Sequence, residues 1–295
     1  MRYRWLLVAL LAIPLLQSAG QEPSTHHRTQ KKTQPSEKDK TPAEIAALAK
    51  DSVAVIVAAD ESTAKLGTGF FVNDTGLMIT NLHVVQGSAL VGVRLPDTKR
   101  IVFAKTVRDW DADNDLVALQ LGVVGSRPLL LGNSDKAFIG EPVTVVSNPE
   151  GLEQTVSDGL ISALREFSGR KLLQITAPIS SGSSGGPVFD KSGKVIGVVV
   201  SRLPEGQNLN FAIPINLVKP LLDSTREVKL DAIPKPHAQP HSESGSNEAS
   251  RAQSEQDAAA QVMRQIADSI RQCPQCNQIT AVRGKLCVFG VSDWL

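Results

Sequence analysis

The segment Gly182-Ser183-Ser184-Gly185-Gly186-Pro187 lies between two apolar runs. Glycines around a serine let the chain turn sharply, expose a hydroxyl and bring backbone N–H groups toward a substrate oxygen with no Cβ in the way. Taken alone, such a stretch is most often just a loop. Its company upstream changes the reading. His83 sits at the end of an apolar strand, in Thr80-Asn81-Leu82-His83-Val84-Val85, and Asp115 opens Asp115-Leu116-Val117-Ala118-Leu119. Each has a plainer explanation by itself, a packed core histidine and a turn-forming aspartate. Together, histidine, aspartate and serine follow one of the known chain orders for an acyl-transfer triad, each at a strand edge where loops converge. The chemistry needs these types. Serine is a poor nucleophile until a neutral imidazole accepts its proton, and a buried carboxylate holds the ring tautomer and stabilises the imidazolium. Two amide donors would then stabilise a tetrahedral oxyanion, at roughly 3 to 4 kcal/mol per donor.

Short β-type runs surround these residues and would have to position them. Val53–Val57, Gly69–Val72, Leu77–Thr80, Val91–Leu95, Leu116–Leu119, Val143–Val146 and Val195–Val200 are separated by turn signals such as Asn73-Asp74-Thr75-Gly76, Pro96-Asp97 and Lys191-Ser192-Gly193. Regular spacing without alternating helices predicts an all-β barrel or sandwich and disfavours a parallel α/β sheet. The 295 residues are 41% hydrophobic and 21% charged, enough to bury a core. With 22 glycines, 17 prolines and only 4% aromatics, the composition suits strands and turns better than a helical bundle. Lysine plus arginine (31) against aspartate plus glutamate (30) leaves a net charge of +1, which removes the composition-level case for nucleic acid as a partner.

The longer strings Gly67–Val85, Asp115–Leu119, Thr176–Val188, Gly197–Val200 and Asn210–Pro214 strongly resemble the trypsin-like serine proteases of the HtrA/Deg family, over residues about 45 to 222. The resemblance implies a double six-stranded β-barrel with the active site in the cleft between barrels. It implies His83 as general base, Asp115 as its orienting carboxylate and Ser184 as nucleophile. Asp111 and Asp113 are rival carboxylates, set aside because the apolar strand after Asp115 matches the family register. The oxyanion loop is Gly182, Ser183 and Ser184, with the amides of Gly182 and Ser184 as the main donors. Val199, Val200 and Ser201 are expected to wall the substrate pocket, although each valine is equally well read as barrel core. The implied activity is serine endopeptidase cleavage of unfolded or misfolded polypeptide, with no cofactor or metal and with a homo-oligomer, trimeric as in many relatives. The rival is a protease-fold holdase or scaffold with little catalysis. Two positions depart from the family. Ser183 stands where relatives carry asparagine or aspartate and cannot pair ionically with a new N-terminal amine. Leu82 replaces a small residue before the histidine, where it either crowds the ring or packs.

At the N-terminus Arg2 and Arg4 precede the apolar run Trp5–Leu16 and the small residues Ser18, Ala19 and Gly20. The run is shorter than the roughly 20 apolar residues a membrane span requires. Residues 1–20 read as a cleavable export signal, with an uncleaved N-terminal anchor as the less favoured alternative, and the signal reading places the chain in a periplasm or outside the cell. Residues 21–40 read as a disordered linker, 41–224 as the protease domain, 225–254 as a second linker and 255–295 as a helix with a cysteine-containing tail. A short helix is expected from Thr41, with Thr41 as cap, Pro42 in the first turn and Glu44 completing a capping box. About 73 residues follow Leu222, too few outside the linker for the PDZ domain that HtrA proteins usually carry. Cys273, Cys276 and Cys287 leave a disulfide, an incomplete zinc site and free thiols open.

Overall fold

Val53–Ala59 contains no polar residue, and in the computed structural model it is β1 (Val53–Ala59), a strand buried along its whole length. The structure describes residues 39–60, 64–149, 154–167, 169–200 and 209–235, and the backbone of 281–282 and 285–286, where Ala281–Val282 pairs with Lys285–Leu286. The export segment, most of both linkers, the helix expected from Glu255 and all three cysteines lie outside the described residues. Among those described, no helix is long and apolar enough to cross a membrane.

Two antiparallel sheets organise the chain. The first contains β1, β2 (Ala64–Phe71), β3 (Leu77–Asn81), β4 (Leu90–Arg94), β5 (Ile101–Phe103), β6 (Thr106–Asp111), β7 (Leu116–Gln120) and β14 (Val228–Lys229), in the order β14-β6-β7-β3-β2-β1-β4-β5. The second contains β8 (Pro142–Ser147), β9 (Thr155–Phe167), β10 (Arg170–Ile175), β11 (Pro187–Phe189), β12 (Val195–Val200) and β13 (Asn210–Pro214). These close into a six-stranded barrel in the order β10-β13-β12-β11-β8-β9. The expected trypsin-like architecture is present, with one correction to its detail: the first unit is an eight-stranded sheet that hydrogen bonding does not close. The second linker also starts later than residue 225. Residues up to 235 fold back onto the first sheet, because Val228 pairs with Val107 and Ile233 is buried in that sheet's core.

The main apolar cores follow from alternation along the strands. One fills the first sheet with Ile56, Phe71, Met78 and Leu119, and a second fills the barrel with Val145, Ile161, Val188 and Val199. A third lies between the two, with Phe70, Ile79 and Leu116 from the first sheet meeting Phe189, Val198 and Phe211 from the barrel. Helix α1 (Pro42–Ala49) adds Ile45 and Ala49 to this shared core. Its capping box is the expected one: Glu44 N–H donates to Thr41 Oγ1, and Thr41 N–H donates to Glu44 Oε2 at 2.8 Å. Strand β9 carries no clear signal in the sequence. Val156, Leu160 and Leu164 recur every four residues, a spacing that fits a helix as well as one face of a strand, and they lie on the exposed side of a strand that passes from β8 to β10 with a bulge.

Candidate active site

His83 is set by the turn that ends β3. After Asn81 the chain winds into α2 (Leu82–Val85), a single helical turn whose Leu82, Val84 and Val85 are all buried. Three apolar anchors in four residues leave His83 as the one side chain of the turn that is not buried. Leu82 therefore packs into the first core and does not crowd the ring. The Lys65 ammonium donates to the carbonyls of His83 and Gln86 at 3.3 and 2.8 Å, satisfying acceptors at the C-terminal end of the turn.

Asp115 occupies the left-handed region, with φ of +55°, where aspartate is better tolerated than most side chains. That conformation lets one residue hold its neighbour at several points. Its Oδ2 lies 2.6 Å from His83 Nδ1, and its Oδ1 accepts the His83 backbone N–H at 2.8 Å. Its carbonyl accepts Leu82 N–H and Asn81 Nδ2, each at 3.1 Å. A neutral ring donating from Nδ1 to the carboxylate keeps Nε2 as the proton acceptor. The rivals are otherwise placed. Both Asp111 carboxylate oxygens accept from Asn114, and Asp113 is exposed.

Ser184 comes from the barrel on the loop before β11. The loop is pinned to both halves of the molecule. Ser184 C=O accepts Thr68 N–H at 2.8 Å, while Gly185 N–H donates to Val199 C=O at 2.9 Å and Val199 N–H donates to Gly186 C=O at 2.8 Å. Gly182 and Gly185 have φ of +86° and +87°. At Gly185 a Cβ would also overlap the Thr68 carbonyl and Thr80 Oγ1, so no other residue fits. Thr80 lies three residues before His83, so the serine loop docks on the strand end that carries the histidine.

Within the Ser184 loop, Ser183 differs from its neighbours. Its N–H donates to Ser180 C=O at 3.0 Å, so this amide is engaged inside the loop. Its hydroxyl is buried, accepting from Ser147 Oγ at 3.1 Å and from Ser180 N–H at 3.3 Å. Neutral hydrogen bonds therefore occupy the position where the sequence lacks an ionised side chain. Of the expected pocket residues, Val199 packs in the barrel core and Val200 in the shared core, on opposite faces of β12. Their side chains serve packing, so the pocket walls expected of them are corrected to core positions. Ser201 lies outside the described residues. Thr68 and Asn81, both fully buried, bond to the carbonyls of Ser184 and Asp115, contacts that the sequence does not signal. For the residues themselves, the available signal is a polar residue beside the buried apolar residues of β2 and β3.

Residues 67–198 match the family described as trypsin-like peptidase domain. The chain is 37% identical over 175 residues to the mitochondrial serine protease HTRA2 of Drosophila persimilis, covering 56% of this chain and 40% of that protein. It is 36% identical over 171 residues to the protein of the same description in Drosophila grimshawi, covering 55% and 39%. The chain thus spans about two fifths of the length of these curated relatives. Among solved structures, the HtrA-type protease AlgW with tripeptide aligns at a TM-score of 0.56 and 29% identity, covering 62% of each chain. The serine endoprotease from Yersinia pestis aligns at 0.55 and 26% identity, covering 63% of this chain and 66% of that one.

Proposed function

With an HtrA/Deg-like, trypsin-like peptidase domain in this chain as premise, we propose that the protein is a serine endopeptidase acting on unfolded or extended polypeptide through an acyl-enzyme. Ser184 Oγ attacks the scissile carbonyl carbon while its proton passes to His83 Nε2. Asp115 stabilises the imidazolium, and the N–H groups of Gly182 and Ser184 receive the oxyanion. The tetrahedral species collapses, the C–N bond breaks, and the leaving amine takes the proton from His83. Water, deprotonated by the same imidazole, then hydrolyses the ester and regenerates the serine.

The observation that carries this reading is the 2.6 Å bond between His83 and Asp115 on the strand end where the Ser184 loop docks. Solved HtrA-type structures holding a tripeptide and a decapeptide support a peptide as the ligand class. The apolar run after Arg2 and Arg4 supports export as the setting in which unfolded polypeptide is met.

The test is cleavage of casein with mapped cut sites, alongside labelling by a serine-reactive fluorophosphonate. The intact chain is expected to cut and to label, and Ser184→Ala to do neither. Peptide binding without labelling of the intact chain would instead identify a scaffold.

A further inference from the structure

Thr68 is fully buried in β2, yet every polar atom it carries bonds to another element. Oγ1 donates to Gly182 C=O at 2.8 Å and accepts Asn148 N–H at 2.9 Å. Its N–H donates to Ser184 C=O at 2.8 Å, and its C=O accepts Thr80 Oγ1 at 2.7 Å. Two of these bonds fall on the serine loop, at the peptide groups on either side of the Ser183–Ser184 group. The Gly182–Ser183 group is held at its carbonyl by Thr68 Oγ1 and at its N–H by Ser180 C=O. The Ser183–Ser184 group is held at its carbonyl by Gly186 N–H at 3.0 Å. The Ser184–Gly185 group is held at its carbonyl by Thr68 N–H and at its N–H by Val199 C=O.

A trans peptide is planar, so holding the Gly182 carbonyl fixes the plane of the Gly182–Ser183 group, which lies between the peptide that carries the Gly182 N–H and the peptide that carries the Ser184 N–H. Gly182 is the weak point of this arrangement, because a glycine at φ +86° rotates more freely than any other residue. Among the described residues, the side chain that holds its carbonyl is Thr68.

We infer that Thr68 is a positioning residue of the oxyanion hole: its hydroxyl holds the Gly182 carbonyl so that the Gly182 and Ser184 amides converge on one point. The inference rests on the peptidase reading above. The threonine methyl fills core space, but only the hydroxyl can accept from Asn148 while donating to Gly182. A valine of similar shape would leave both backbone groups buried without a partner.

Steady-state kinetics of Thr68→Val and Thr68→Ser test this on a peptide taken from a mapped cut site. Oxyanion contacts act on the transition state. Thr68→Val is therefore expected to lower kcat about 10- to 100-fold with KM within about twofold of the parent. Affinity for a peptidyl boronate, which mimics the tetrahedral species, should fall in parallel. Thr68→Ser, which keeps the hydroxyl, should retain kcat to within about threefold. Unchanged kcat in Thr68→Val overturns the inference, as does equal loss in both variants or loss through KM alone. If circular dichroism shows that Thr68→Val does not fold, Thr68→Ala takes its place against the same criteria. A parent chain that neither cuts peptide nor takes up fluorophosphonate overturns the peptidase reading itself, a result that the Thr68 variants alone cannot produce.

Discussion

Asp115 uses three oxygens for two purposes. Its carbonyl and Oδ1 hold the backbone of α2, and its Oδ2 holds the imidazole. Asparagine tolerates the same left-handed backbone and is close in shape, so Asp115→Asn should fold normally. Its amide nitrogen would donate toward Nδ1, however, and a ring accepting there must carry its proton on Nε2, where the base is needed. We expect kcat to fall about 10⁴-fold with little change in thermal stability, measured by peptide hydrolysis and calorimetry together. A comparable fall in both would mean that Asp115 is mainly structural. The neutral contacts of Ser183 belong to the same scale. There the loop is held by neutral hydrogen bonds from Ser147 and Ser180.

Short elements carry the site because long ones pin their ends. Helix α2 is one turn, far below the length at which a helix is stable in water by itself, and it persists through three buried side chains and the Asp115 contacts. Helix α1 shows a related dependence. Its cap satisfies N–H groups that eight residues could not satisfy internally, and its buried face seals one side of the shared core. Thr41→Ala should cost about 1 kcal/mol, seen as a lower urea midpoint at unchanged slope. No shift in the midpoint would show that Ile45 and Ala49 alone secure the helix.

At the scale of the whole molecule, the two sheets are joined by an apolar interface. Phe189 is fully buried in that interface, on the strand that follows the Ser184 loop. Phe189→Ala should cost about 3 to 5 kcal/mol, a large part of the 5 to 15 kcal/mol typical of a domain. Both sheets lose the same contact surface, so a single unfolding transition at lower denaturant is expected by tryptophan fluorescence and far-ultraviolet dichroism. Separate transitions for the two probes would show that each sheet holds its fold without the shared core.

Much of this architecture is legible in the amino-acid sequence alone. Apolar β-branched runs between turn residues mark β1, β3, β7, β8 and β12. The Thr41-Pro42-Ala43-Glu44 pattern marks α1, because such signals act over a few neighbouring residues. His83, Asp115 and Ser184 are legible through residue type, chain order and likeness to a family. Strand β9 is not, because apolar residues every fourth position fit a helix as well as a strand, and here they face solvent. Nor are the burial of Val199 and Val200 on opposite faces of β12, or the contacts of Thr68 with residues 80 and 114 positions away. Local chemistry is written in nearest neighbours. Which buried hydroxyl meets which carbonyl depends on strand register and sheet packing, and these are decided only when the whole chain closes on its cores.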